Sequence, residues 1–452
     1  MTSFCISATF SEVLGNVQKF VAILGLASVM VAVFRYLIDR KKENFKGLMG
    51  KIKVAKYNST QKCFASYKEE NKELLADSKA LIIDKNWGYW ADKDKPWIHL
   101  DKVKVTVAAE KPAGVEKAIK HPPYPQKFKP FSIRKSYVKE MLRYGCTPTI
   151  FFNGDIYCAS EFAVEKDGQN PALKVYEAGY FDFFNTCKVK EFRYEVGKKR
   201  SFKVGKKAKK NSNIFNLENR ACGIGVVTLT VIRLEDGEDG LYFLMHKRGD
   251  KVAEGSGTVH VVPAGSFQPF TSFEEKSTAT LSSTVYREFC EEVLSTTDMR
   301  ELTSESFLTA NVAYKFIVRP NTSKLYFLGA GLDPYNTKME IMSLLFIDLR
   351  DENKLKDFIK YATKGDEKGA PEKNDPMKNA FDSKKNRLKA ALKKASDTEG
   401  SIVLEKFKES TLEEYFGNIN IVPAAKELMY IAYKRFKEIQ GLEVDKEPVP
   451  VK

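Results

Sequence analysis

The 452-residue sequence has no Cys-x-x-Cys pair, and its seven cysteines are scattered and odd in number. Neither a disulfide framework nor a structural zinc site accounts for such spacing, and a reducing compartment fits it better. Its 27 glycines and 17 prolines follow no short period, which excludes collagen-like and solenoid architecture. The chain does not lack core-forming residues: 43% are hydrophobic and 29% charged, a mix that excludes wholesale disorder. Acids are outnumbered, with 59 Asp and Glu against 74 Lys and Arg, for a formal net charge of +15. At about 150 residues per domain the length allows two or three domains.

One long apolar run stands near the start. Residues 20–34 (FVAILGLASVMVAVF) are 15 positions without a charge, and Tyr36, Leu37 and Ile38 extend the run to 19 if Arg35 is tolerated. A membrane-spanning helix needs about 20 apolar residues, with a lower limit near 17. Arg35 lies close enough to one end to snorkel. Lys19 precedes the run, whereas Arg35, Arg40, Lys41, Lys42, Lys46, Lys51, Lys53 and Lys56 follow it. Cytoplasmic flanks carry the Lys/Arg excess, so the pattern predicts a single transmembrane helix over 20–38 with the body on the cytoplasmic side. A cleaved signal peptide fits less well, because the charge lies on the wrong side and no small-x-small site follows. A buried core helix is the bland alternative. Residues 39–80 then read as a basic juxtamembrane stalk.

From residue 81 to 215 the text reads as a mixed α+β region of unassigned role. Short β-like runs (KVKVTVAA, TPTIFF, DIYCASEFAV) lie among prolines and aromatics, with a break at HPPYPQ over 121–126. Trp87, Trp90, Trp97, Tyr180, Phe181, Phe183 and Phe184 fit a core better than a ligand cage. The region ends in a basic loop, 197–210 (GKKRSFKVGKKAKK), with eight basic residues and no acid. Such a loop is either simply solvated or a contact for anionic lipid. Nucleic acid is the less favoured partner, since the loop holds one aromatic and no nucleic-acid fold signature accompanies it. A second polar stretch, about 364–398, reads as an insertion or mobile loop.

After the basic loop the pattern changes. Residues 223–234 (GIGVVTLTVIRL) read as a strand, 235–240 (EDGEDG) as a turn, and 241–248 (LYFLMHKR) as a second strand of a hairpin. A third strand, 258–270, ends in a Pro-Ala-Gly turn. Residues 280–294 (TLSSTVYREFCEEVL) read as a helix, with Leu281, Val285, Phe289 and Val293 every fourth residue. On it Glu288, Glu291 and Glu292 are spaced i, i+3, i+4 and project from one face. Three carboxylates so close repel unless a cation sits among them, and hard oxygen donors suit Mg²⁺ or Mn²⁺. An ordinary solvated acidic face is the competing reading.

The stretch Arg287-Glu288-Phe289-Cys290-Glu291-Glu292 resembles the Arg-Glu-apolar-x-Glu-Glu core of the Nudix box. Gly265 stands where the first glycine of that box belongs, at a strand-to-loop turn ahead of the helix. The strand that ends at Arg248 resembles the Nudix strand that often closes in a basic residue near the substrate phosphates. Residues 223–294 supply these elements in the Nudix order, and HVVPAGSFQPF with REFCEEVL is most similar to an uncharacterised bacterial subgroup. The likeness covers about 216–440. The chain departs from the box at three points. Twenty-one residues separate Gly265 from Arg287, Ala279 stands where the isolated glutamate of the box belongs, and Leu294 replaces its late glycine. Glu274 or Glu275 could take the glutamate's place after the insertion.

The resemblance implies a Nudix fold, a mixed β-sheet sandwiched between helices, over 216–440, with a tail over 441–452 and an N-terminal tail over 1–19. It implies Mg²⁺-dependent attack of water on a nucleoside diphosphate linked to another group. Glu291 and Glu292 would bind metal, Glu288 would bind metal or act as base, Arg287 would hold a glutamate in place, and the Gly265 carbonyl would complete the metal shell. Arg248 would meet the substrate. Family members often add a carboxylate from beyond the box. Glu340, at the start of the strand in 325–349, is the candidate for that ligand or base, with a surface glutamate as the alternative. The rival function is a catalytically silent Nudix domain that senses a nucleotide ligand. Residues 419–436 read as a closing helix with spacing that fits packing.

Overall fold

The computed structural model describes residues 72–88, 90–120, 153–165, 170–188, 215–248, 258–269, 280–294, 312–334, 336–363, 383–395, 400–418 and 420–445, with a few isolated positions elsewhere. In chain order the strands are β1 (Ile98–His99), β2 (Lys104–Val107), β3 (Asp155–Val164), β4 (Pro171–Gly179), β5 (Cys222–Arg233), β6 (Leu241–Arg248), β7 (Val259–Val261), β8 (Ala264–Ser266), β9 (Ser323–Leu332), β10 (Met339–Asp348) and β11 (Gly400–Lys406). The helices used below are α1 (Ala113–Lys120), α2 (Leu281–Glu292), α3 (Val312–Ile317), α4 (Glu352–Thr363), α5 (Lys384–Ala395), α6 (Glu409–Gly417), α7 (Pro423–Lys434) and α8 (Phe436–Gln440). The architecture is mixed α/β, built on one curled mixed sheet.

The sheet is organised around β5. All twelve of its residues are buried, so both faces are covered, and α2 and α7 both pack on it. Its sequence, CGIGVVTLTVIR, is β-branched and apolar on both faces, the composition of an interior strand. One edge of β5 pairs in parallel with β10 along ten residues, from Ile224 opposite Met339 to Arg233 opposite Asp348. β10 pairs antiparallel with β9, and β9 with β1. The other edge of β5 is shared by three strands. β3 meets it at Cys222 and Gly223, β8 at residues 225–227, and β6 at residues 231–233. β4 and β2 continue the sheet beyond β3, while β11 and β7 flank β6.

Residues before and after 215 therefore belong to one sheet and one hydrophobic core. Trp90 packs edge-on against Phe327 of β9, and Trp87 against Phe162 of β3. Phe183 and Phe184 are also buried. The end of the segment expected as a stalk is packed as well. Leu75, Ala76, Ser78 and Ala80 are buried, and Ile82 bridges to Leu332 at the end of β9. Glu427 of α7 holds this segment, and Arg435, between α7 and α8, holds the chain at residues 95–97. The fully buried Glu427 of α7 accepts hydrogen bonds from the backbone N–H groups of Lys79, Ala80 and Leu81 at 2.8, 2.6 and 3.2 Å. The Arg435 guanidinium lies 3.9 Å from the Trp97 ring and donates to the Lys95 carbonyl.

Two sequence expectations fall largely or wholly outside the described residues. The predicted transmembrane span, 20–38, falls almost wholly outside the described residues. Of it, Met30, Val33, Arg35, Tyr36 and Leu37 are helical and exposed. Among the described residues no helix is long and apolar enough to cross a membrane. The basic loop 197–210 lies outside the described residues altogether. By contrast, the polar stretch expected as a loop over 364–398 contains the twelve-residue helix α5. Among the residues of α5 whose burial is described, Leu388, Ala391 and Leu392 are buried, so a lysine-rich sequence hides a short apolar stripe.

Candidate functional site

β8 and α2 build the site. β8 is short because Pro263, just before it, has no N–H to donate to a ladder. It is fixed to β5 from both ends: Thr228 N–H donates to the Pro263 carbonyl and Phe267 N–H to the Ile224 carbonyl, each at 3.0 Å. α2 starts at a cap in which the Thr280 hydroxyl accepts from Ser283 N–H at 3.1 Å. Leu281, Thr284, Val285, Phe289 and Cys290 form its buried face, and Phe289 packs edge-on against Phe358 of α4. Fully burying such an aromatic contributes about 1.5–3 kcal/mol. That packing fixes the rotation of α2 and turns Arg287, Glu288, Glu291 and Glu292 toward β8 and solvent.

The four charged residues are tied to one another and to the strand. Arg287 donates to Glu288 Oε1 at 2.7 Å and to Glu291 Oε1 at 3.1 Å. Ala264 N–H donates to Glu292 Oε2 at 3.1 Å. The Glu288 carboxyl group lies against Gly265, where an added Cβ would stand 2.0 Å from its Cδ. A side chain at this position would have to displace the Glu288 carboxyl group. Burial alone would lower the Arg287 pKa, but the charges of Glu288 and Glu291 outweigh it and hold the guanidinium above its ordinary value. Burial pushes the Cys290 thiol up, which fits a packing role.

Glu340 occupies a different place. It is the second residue of β10, 7% exposed, and stands in register with Gly225 of β5. Its carboxyl group covers that glycine: an added Cβ would lie 2.0 Å from Glu340 Oε2. Lys338 pairs with Glu340 at 3.4 Å. Gly225 is in register with Ser266, whereas Gly265 is in register with Val226. Adjacent residues of a strand face opposite sides of a sheet, so Glu340 and Glu288 lie over opposite faces. Arg248 is the last residue of β6, in register with Gly400 of β11. The structure thus brings together Arg287, Glu288, Glu291, Glu292 and Gly265. Glu340 lies one register row away and on the other face. Glu274 and Glu275 lie outside the described residues.

A three-carboxylate set offers the hard oxygen donors that Mg²⁺ and Mn²⁺ prefer, so its chemistry fits such an ion. Its present arrangement is the ion-paired one, with Arg287 between Glu288 and Glu291. Among the described residues no three His, Cys, Asp or Glu side chains are grouped to hold a metal. Lys338 escaped the sequence reading. The signal was there, since strand alternation places residues two apart on one face. No protein-family model and no curated protein matches the chain.

Proposed function

We propose that this is a membrane-anchored Nudix-type hydrolase that cleaves a nucleoside diphosphate linked to a second moiety. The observation that supports this reading most is the docking of the Arg-Glu-x-x-Glu-Glu helix on β8, with Glu288 flush against Gly265. In the proposed reaction a water oxygen bonds to one phosphorus, the bridging P–O bond breaks, and the displaced phosphate leaves. A divalent ion would neutralise phosphate oxygens and lower the pKa of the attacking water. Glu291, Glu292 and the Gly265 carbonyl would hold it. Glu288 would join them or accept the water proton. Arg287 orients Glu288 and Glu291 by charge-assisted hydrogen bonds. Arg248 would bind substrate phosphate. Glu340 is assigned a supporting role across the sheet, with Lys338 as its partner. The run 20–38 would anchor the chain, with the body on the cytoplasmic side.

The experiment is a nucleotide panel offered to purified full-length protein in detergent, with and without Mg²⁺ or Mn²⁺, and read by product chromatography. Metal-dependent release of a nucleoside monophosphate from at least one diphosphate-linked nucleotide is expected. One observation favours a second reading, a catalytically silent nucleotide sensor: Arg287 engages two of the three carboxylates, leaving the cluster closed. Tight binding of a nucleotide with no turnover anywhere in the panel would select the sensor.

A further inference from the structure

We infer that the exposed face of α5 is an electrostatic docking surface for an anionic lipid bilayer. α5 has the sequence KKNRLKAALKKA, with no acidic residue. Its rotation is fixed from the inner side. Leu388, Ala391 and Leu392 are buried, and Arg387 forms a two-pronged ion pair with Glu352 of α4 at 2.6 and 2.9 Å. Lys384 turns inward to the Arg350 carbonyl. What remains outside is a line of exposed ammonium groups, Lys385, Lys389 and Lys393, at i, i+4 and i+8. At 1.5 Å per residue the line is about 12 Å long.

Lys389 and Lys393 have no acidic partner among the described residues. Lys385 lies over the Tyr242 ring at 5.6 Å, beside Lys406, whose charge is met by Asp239. Like charges four apart destabilise a helix, so this face costs stability until anions meet it. The charges are lysine point charges, and the one arginine of α5, whose planar fork suits bidentate recognition, is turned inward. Among the described residues, α5 carries no aromatic side chain that could stack on bases. A row of exposed lysines along one helix face fits a flat, diffuse anionic surface. The chain's formal charge of +15 has the same sign. This inference stands independently of the hydrolase reading.

The test measures acylation of lysines by an amine-reactive reagent, read peptide by peptide, on full-length protein with vesicles. One set is phosphatidylcholine alone and the other contains phosphatidylserine. Any N-terminal anchor acts equally in both sets, so the difference reports charge. Lys385, Lys389 and Lys393 should be acylated about tenfold more slowly with phosphatidylserine, an effect lost in high salt. The exposed Lys437, on α8, should show no difference. In Lys389→Glu, phosphatidylserine-dependent protection of Lys385 and Lys393 should fall about fivefold. Equal acylation on both vesicles overturns the proposal. Protection by double-stranded nucleic acid without protection by phosphatidylserine overturns it in favour of a nucleic-acid surface.

Discussion

Glu288 fills the space that a side chain at Gly265 would need. A Cβ there would stand 2.0 Å from Glu288 Cδ and 2.1 Å from Oε1. Glu288 is also held by Arg287 at 2.7 Å, so it cannot move aside without breaking that pair. Gly265→Ala should therefore expel the carboxylate and lower stability by about 1–3 kcal/mol, the usual cost of overpacking. Thermal or urea denaturation would measure the loss. A variant as stable as the wild type, with a crystal structure in which Arg287 still holds Glu288, would refute the steric argument.

The metal proposal makes a separate demand. An ion that binds only the native state raises stability, by about 2.7 kcal/mol at 100 times its Kd. Mg²⁺ or Mn²⁺ should thus raise the melting temperature of the wild type. Glu292→Gln should remove most of that rise, while keeping an oxygen for Ala264 N–H. Equal metal-dependent shifts in both proteins would show that the cluster does not hold the ion.

The sequence makes local structure plain and long-range pairing obscure. β5, β6, α2 and the β9–β10 hairpin are legible because apolar period and turn residues are local signals. The turn at 235–240 is an example: an added Cβ at Gly240 would lie 1.9 Å from the Glu235 carbonyl oxygen, so only glycine fits. The parallel pairing of β5 with β10 joins residues more than a hundred positions apart, and no local pattern encodes it. The placement of Glu340 depends on that register. Its charge marks the residue, but only the pairing with Gly225 reveals which face it covers. The same limit applies to β2–β4, which join the rest of the sheet through only two residues of β5. The acidic cluster itself was visible, because helical spacing alone puts Glu288, Glu291 and Glu292 side by side. That Ala264 N–H would hold Glu292 was not, since a backbone donor leaves no mark in sequence.

Glu427 shows how a residue in an apolar helix can carry a specific task. Three successive backbone N–H groups converge on one of its oxygens. Glu427→Ala would strand those buried donors, at about 1–3 kcal/mol for an unmade hydrogen bond. Residues 75–84 should then open locally. Hydrogen exchange should accelerate there by about tenfold or more, with α2 and β10 unchanged. Uniform acceleration throughout would mean that Glu427 supports the whole fold and does not specifically tether this segment.

The anchor is tested by fractionation. The uncharged run 20–34 and the basic flank after it predict sedimentation with membranes, release by detergent, and no release by high salt. Removing residues 1–40 should yield a soluble protein. Full-length protein in the soluble fraction would end the transmembrane reading.

The sharpest mechanistic prediction compares Glu288 with Glu340. Glu288→Gln keeps size and most hydrogen bonding but removes the charge that holds an ion or accepts a proton. It should lower kcat by about 10²-fold or more, the range for loss of an acid–base group. Binding of a non-hydrolysable substrate analogue should change much less. Glu340→Gln should behave differently, because Glu340 covers Gly225 on the face opposite Glu288. Its loss would leave the Lys338 ammonium, only 12% exposed, without its carboxylate. The expected result is a stability loss of about 1–3 kcal/mol with a smaller effect on kcat. Both variants would be assayed on one substrate, after circular dichroism confirms the fold. Wild-type turnover in folded Glu288→Gln removes Glu288 from the chemistry. An equal fall in kcat for both variants, with stability intact in Glu340→Gln, would place Glu340 in the reacting site and contradict the separation across the sheet.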